Sequence, residues 1–230
     1  MLDSCYLPLN LFPLYYKYET GNPEDVLIVR KLIVGTYASN CYVIGSETTK
    51  EGMIIDPGAD AKEIMRTVEK LGLKIKLIVL THRHPDHVGA TAQVKKATGA
   101  EVAAHEECAR YLPQSSSYIY EPPYEGAPKP ERILRDGDII DIGGLNFTVL
   151  HTPGHTPCGI SIVGEGHVFT GDTLFNYGIG RYDLIDGDYN QLISGIRNKL
   201  FTLPPETIVH PGHGPDSTIA TEKRANPFLK

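Results

Sequence analysis

Thr81-His82-Arg83-His84-Pro85-Asp86-His87 is the stretch on which the reading of this chain turns, because it holds three of the nine histidines. It follows Leu77-Ile78-Val79-Leu80, a wholly apolar run that predicts a buried strand. A strand end is a rigid mount. Imidazoles at His82 and His84, two residues apart, can aim at one ion. Asp86 and His87, where the chain turns into a helix, can aim at a second ion nearby. A donor set of imidazole and carboxylate suits zinc, iron or manganese.

The remaining ligands needed for such a site occur further along, each after an expected strand. They are His155 in Thr152-Pro153-Gly154-His155-Thr156, Asp172 in Gly171-Asp172-Thr173, and His213 in Pro211-Gly212-His213-Gly214. Glycine lets the backbone bend sharply there and leaves the ligand side chain free to point into a cleft. His151 precedes the His155 turn, and Asp56 ends a strand near the same sheet edge. His151 is a candidate to support a ligand from behind, and Asp56 either orients a ligand imidazole by a hydrogen bond or only shapes the Pro57-Gly58 turn.

Strands and helices alternate around these positions. Strands are expected at 26–34, 41–45, 53–55, 77–80 and 101–104. A helix capped by Asp60 carries Ile64, Val68 and Leu71 at helical spacing and stops at Gly72. A second helix is expected over 88–98. Residues 113–130 contain five prolines and read as an irregular loop. A hairpin about Gly143-Gly144, strands at 160–163, 167–170 and 207–209, and helices near 189–200 and 218–225 complete the pattern. Residues 1–25, rich in Pro, Tyr and Leu, read as an extension to a single domain spanning 26–230.

The His-x-His-x-Asp-His run, with Thr-Pro-Gly-His-Thr, Gly-Asp-Thr and Pro-Gly-His-Gly-Pro, resembles the metallo-β-lactamase superfamily. Within it the chain is similar to the small glyoxalase II-like (hydroxyacylglutathione hydrolase-like) group. Residues 36–43, 171–188 and 210–229 support the likeness. The resemblance implies an α/β fold, a four-layer αββα sandwich with metals at one edge. It also implies the ligand partition: His82, His84 and His155 on one ion, Asp86, His87 and His213 on the other, and Asp172 bridging. An aspartate at 172 points away from antibiotic hydrolysis, since many true β-lactamases differ at that place.

The expected chemistry is thioester hydrolysis by a metal-held hydroxide, with two divalent ions, zinc first and iron or manganese as alternatives. Asp86 and Asp172 are the expected catalytic carboxylates. Arg181 and Tyr182, in the loop after Asp172, are the expected substrate contacts, with an internal Arg181–Asp183 or Arg181–Asp188 ion pair as the structural alternative. An iron-dependent persulfide dioxygenase, using His82, His155 (or His84) and Asp172, is the main rival, and a lactonase or other esterase the next. Full-length glyoxalase II has a helical C-terminal domain that completes its glutathione site; the present sequence ends at Lys230, which leaves the thiol open.

The formal net charge of −6 argues against a nucleic-acid partner, which calls for a clustered basic patch. No apolar run reaches membrane-spanning length, and the N-terminus lacks the basic flank of a signal peptide. Four cysteines without a C-x-x-C pair (Cys5, Cys41, Cys108 and Cys158) are expected as buried free thiols in a reducing cytoplasm.

Overall fold

The computed structural model describes residues 16–19, 26–111 and 127–230. Most of the 113–130 loop, most of the N-terminal extension, and Cys5 lie outside the described residues.

Two sheets stack face to face. The first has strands β1 (Tyr16–Glu19), β2 (Val26–Val34), β3 (Ser39–Ser46), β4 (Glu51–Ile55), β5 (Lys74–Leu80), β6 (Glu101–His105) and β7 (Arg132–Leu134), paired in sequence order. The second combines β8 (Ile139–Ile142), β9 (Leu145–His151), β10 (Ile160–Gly164), β11 (His167–Gly171), β14 (Ile208–Pro211) and β15 (Ser217–Thr218), in the order 15-14-11-10-9-8. A short hairpin of β12 (Leu174–Phe175) and β13 (Gly178–Ile179) stands apart. The helices are α1 (Ala61–Leu71), α2 (Pro85–Val88), α3 (Thr91–Thr98), α4 (Glu106–Tyr111), α5 (Tyr189–Asn198) and α6 (Ile219–Ala225). Tyr16–Glu19, inside the expected extension, adds to the first sheet as an edge strand on β2.

Strand periodicity explains the layering. Successive side chains of a strand point to opposite faces, and β3 and β5 are apolar on both. Cys41, Val43, Ile78 and Leu80 pack outward under α1 and α3, beside Ile64, Val68 and Val94. Tyr42, Ile44, Leu77 and Val79 pack inward against Phe147, Val149, Ile160 and Phe169 of the second sheet. On the far side of the second sheet, Val168 and Val209 meet Leu192 and Ile196 of α5 and Ile219 of α6. Burial of each such side chain contributes about 1.5–3 kcal/mol. The result is the αββα sandwich.

Local expectations held with four corrections. The 88–98 helix is two pieces, α2 and α3, broken at Gly89-Ala90. There Gly89 packs so close to the Gly58 carbonyl that a side chain would collide. Asp60 stands at the N-cap of α1 but does not cap it with its side chain; its carboxylate instead accepts from the Gly35 N–H at 2.8 Å. α4, the short strands β7 and β15, and the β12–β13 hairpin were not anticipated. Finally, Cys108 of α4 is disulfide-bonded to Cys158, while Cys41 is a free buried thiol. The expectation of free thiols therefore fails for that pair, because sheet packing brings together two residues 50 positions apart. Among the described residues no helix is long and apolar enough to cross a membrane.

Candidate metal centre

Four strand ends deliver the ligands to one edge of the sandwich. After β5 the chain passes through Thr81 and His82 to His84, the N-cap residue of α2. Pro85 takes the first helical position, where its missing N–H is no loss. Asp86 and His87 follow in the first turn. β9 leads into the loop that carries His155, β11 ends one residue before Asp172, and β14 ends two before His213.

All seven expected ligands converge. His82, His84 and His155 place ligand atoms within 4.8 Å of one another, and so do Asp86, His87 and His213. Asp172 lies between the groups. Its Oδ1 is 3.4 Å from His87 Nε2, and its Oδ2 is 3.5 Å from His155 Nε2 and 3.7 Å from His213 Nε2. His155 Nε2 and His84 Nδ1 are 2.9 Å apart, and His87 Nε2 and His213 Nε2 are 3.2 Å apart. Nitrogens bound to a tetrahedral ion at about 2.0–2.1 Å lie only slightly further apart.

Hydrogen bonds set which nitrogen of His155, His87 and His82 faces inward. His155 Nδ1 donates to the Arg181 carbonyl at 2.7 Å, so its Nε2 lone pair points into the site. His87 Nδ1 donates to Asp56 Oδ2 at 3.0 Å. The same carboxylate accepts the Thr81 N–H at 2.7 Å and the Thr81 hydroxyl at 2.5 Å, and that hydroxyl oxygen accepts from His82 Nδ1 at 3.1 Å. His82 Nε2 and Asp172 Oδ1 are buried and accept no hydrogen bond among the described residues. Orphaned acceptors of this kind are the mark of atoms that bind a cation. Asp56 also forms a close group with His82 and His87. Its oxygens are already taken by Thr81 and His87, so it orients imidazoles rather than offering a vacant donor.

Gly212 closes the back of the centre. A side-chain carbon there would collide with Asp172 Oδ1 and press on His87 Cε1.

Electrostatics divide the metal-free cluster in two. Burial holds the His84 imidazole down to about 4, aided by the neighbouring His155, and burial likewise depresses His82 and His155. These three are neutral at pH 7 and ready to ligate. Burial also opposes charge on His87, but Asp172, Asp56 and Asp86 outweigh it and raise the group to about 10. His213 is raised too: the Asp86 hydrogen bond and Asp172 overcome its burial. Asp86 is itself held well below the usual carboxylate range, since His213, His87 and the Ser39 hydroxyl outweigh its burial.

Other sequence expectations separate here. Arg181 closes its guanidinium on Asp183, with Nε–Oδ1 and Nη2–Oδ2 both at 2.9 Å, and remains exposed. That is the internal ion pair foreseen as the alternative, and it is the Arg181 carbonyl that reaches the centre. Tyr182 packs edge-on against Tyr189. His151 stacks on His105 and bonds to the Pro157 carbonyl at 2.9 Å, so it braces the loop carrying His155 rather than touching a ligand imidazole. Ser39 and Thr81 were missed as contributors. Both are small hydroxyl residues beside turns, and nothing in their local pattern tells a turn residue from one aimed at a ligand. Beside Asp86, a groove of about 1160 Å³ opens between the end of β2 and the following turn (Ile33, Tyr37) and α1 (Lys62, Met65).

A model of the metallo-beta-lactamase superfamily matches residues 34–213. The chain belongs to that superfamily. Among curated relatives it is 41% identical over 202 residues to the hydroxyacylglutathione hydrolase GloC of Haemophilus influenzae, covering 85% of this chain and 95% of that one. Among solved structures it is similar to the BLEG-1 B3 metallo-beta-lactamase (36% identity, TM-score 0.83, 88% and 99% coverage). It is also similar to TTHA1623 in a di-iron-bound form (36% identity, TM-score 0.77, 86% and 99% coverage). The superfamily and the αββα architecture expected from the motifs are both borne out, and the fold implies divalent metal ions, for which these His and Asp groups are the candidate ligands. The chain is a metallo-hydrolase of the superfamily.

Proposed function

We propose that this superfamily member hydrolyses thioesters of the hydroxyacylglutathione type at a dinuclear centre. His82, His84 and His155 would hold one ion and Asp86, His87 and His213 the other, with Asp172 bridging. The observation that carries the reading is the convergence of these His and Asp side chains at one edge, with the inward nitrogens of His82, His87 and His155 set by hydrogen bonds on the opposite side of each of those rings. The relation to a hydroxyacylglutathione hydrolase supports the substrate class. When bound, two divalent ions supply Lewis acidity that eases ionisation of water and polarises a carbonyl oxygen. Zinc suits the donors, and iron or manganese would too.

The chain's own residues do the rest. Asp86 stays ionised at neutral pH, pinned by Ser39 and His213, so it is placed to accept a proton rather than donate one. A thiolate leaves without much acid assistance, and no nucleophilic Ser or Cys is needed. The groove beside Asp86 offers room for the rest of a thioester. Arg181 has its fork occupied by Asp183, which favours a bracing role over substrate recognition.

The iron-dependent persulfide dioxygenase is the second reading. It draws on the two-His, one-carboxylate subset His82, His155 (or His84) and Asp172; the similarity to a di-iron-bound structure adds only that a related fold can hold iron. Metal analysis of purified protein, with assays on S-lactoylglutathione and glutathione persulfide, separates the two. Thiol release from the thioester without oxygen uptake is the expected result. Oxygen uptake with the persulfide and no thioester cleavage would replace the proposal, and cleavage of a β-lactam alone would overturn both.

A further inference from the structure

His87 and His213 lie 126 residues apart and hang from different sheets, one after β5 and the other after β14. They can share an ion only if the 211–214 turn of the second sheet is locked to the first. The start of β3 forms that lock. The Asn40 N–H donates to the Gly212 carbonyl at 2.7 Å. The Asn40 side-chain amide donates to two more carbonyls of the same turn, Pro211 at 2.8 Å and Gly214 at 2.9 Å. The neighbouring residue Ser39 forms a backbone bridge with His213 itself, and its hydroxyl donates to Asp86 Oδ2 at 2.8 Å. Tyr42 adds a hydroxyl bond to the Pro211 carbonyl at 2.7 Å.

Three features single out Asn40 and Ser39. Both are buried, so their bonds are shielded from water. Among the described residues the Asn40 amide oxygen has no hydrogen-bond partner although it is buried; the side chain is kept for its two donors. The lock is also one-sided. The hydrogen bonds from Ser39 and Asn40 described above go to Asp86 or to the turn around His213. His82 and His155 are instead oriented by Thr81 and the Arg181 carbonyl, and His84 is placed by its backbone position at the start of α2.

We infer that Ser39 and Asn40 are positioning residues for one metal site alone, the Asp86/His87/His213 site, and that Asn40 sets its affinity by fixing the turn that presents His213. The inference rests on the dinuclear reading above and assigns the two ions different dependence on β3.

The test is a zinc titration of the full chain against a competing chelator, on the parent, Asn40→Asp, Ser39→Ala and Tyr42→Phe. Asn40→Asp keeps the shape but sets a carboxylate against two carbonyls. It is expected to weaken one ion by about 10–100-fold, the range typical of outer-sphere partners, and to leave the other at parental affinity. Ser39→Ala is expected to weaken the same ion less, as it removes one bond to Asp86. Tyr42→Phe, the mildest change, serves if Asn40→Asp does not fold, and should act in the same direction. Anomalous scattering at the zinc edge identifies the weakened ion, which must be the one on Asp86, His87 and His213. Affinities unchanged in all variants, or both ions weakened in proportion as general destabilisation would do, overturns the inference while leaving the dinuclear reading standing. A parent chain that binds fewer than two ions under metal-replete conditions overturns both.

Discussion

Replacing Asp56 by Asn probes how far this centre depends on bonds behind its ligands. Asp56 is buried with φ of 51°, a left-handed conformation that Asn accepts as readily as Asp, so the backbone is left undisturbed. Its Oδ1 accepts the Thr81 N–H, and its Oδ2 accepts the Thr81 hydroxyl and His87 Nδ1. An amide that keeps its oxygen on the Thr81 N–H must turn its NH₂ toward His87. Then His87 Nδ1 must accept, its proton moves to Nε2, and the lone pair that faces Asp86 and His213 is lost.

Outer-sphere changes of this sort weaken metal binding by about 10–100-fold, or about 1–3 kcal/mol. The metal-free protein carries a second signature. His87 is raised from 6.5 to about 10, so its stabilising contribution is complete below pH 6.5, declines above it and is gone past about pH 10. That span corresponds to about 5 kcal/mol, offered jointly by Asp172, Asp56 and Asp86. Losing one of three carboxylates should remove about 1–2 kcal/mol of it. Chelator competition measures the first effect, and thermal melts of metal-free parent and variant from pH 6 to 10 the second. The stability gap should be widest at pH 6 and narrow toward pH 10. A gap that is constant with pH, or unchanged metal affinity, would refute the orienting role.

Asp172→Ala is expected to abolish activity and weaken both ions, whereas His84→Ala should weaken mainly the ion shared with His82 and His155; metal content after dialysis checks this, and equal content in Asp172→Ala and the parent would end the bridging assignment. Reduction of Cys108–Cys158, which closes a loop of 50 residues, should lower stability by about 4 kcal/mol on the chain-entropy model. Melting with and without reductant tests it, and Cys108→Ser should be insensitive to the reductant. Arg181→Ala should change KM equally for matched charged and uncharged thioesters, because its fork is occupied by Asp183. A loss confined to the anionic substrate would restore the recognition role.

The candidate ligand residues were legible as a convergent group because each obeys a local rule. An apolar run ends, a turn rich in glycine or proline follows, and a His or Asp stands at its tip. His82, His84, Asp86, His87, His155, Asp172 and His213 all satisfy it, and all seven meet at one edge. Asp56 was legible as a strand-end residue, but its partners Thr81 and His87 were not. His151 satisfied the same proximity argument and belongs elsewhere, because its ring found His105 across the fold. The Asp60 cap failed for a related reason: its carboxylate had a non-local donor, the Gly35 N–H, that outcompeted the helix.

By itself, then, the order of residues determined the layers and the donors. Hydrophobic periodicity and strand-end turns are properties of a few adjacent residues, and they are written locally. Only the tertiary structure decided that His87 Nδ1 turns to Asp56, that Arg181 offers its carbonyl to His155, that Cys108 reaches Cys158, and that Ser39 and Asn40 grip Asp86 and the turn around His213. Those bonds join residues from 26 to 174 positions apart. Hydrogen bonds act over about 3 Å, so no local pattern can specify partners that only the closed sandwich brings within reach.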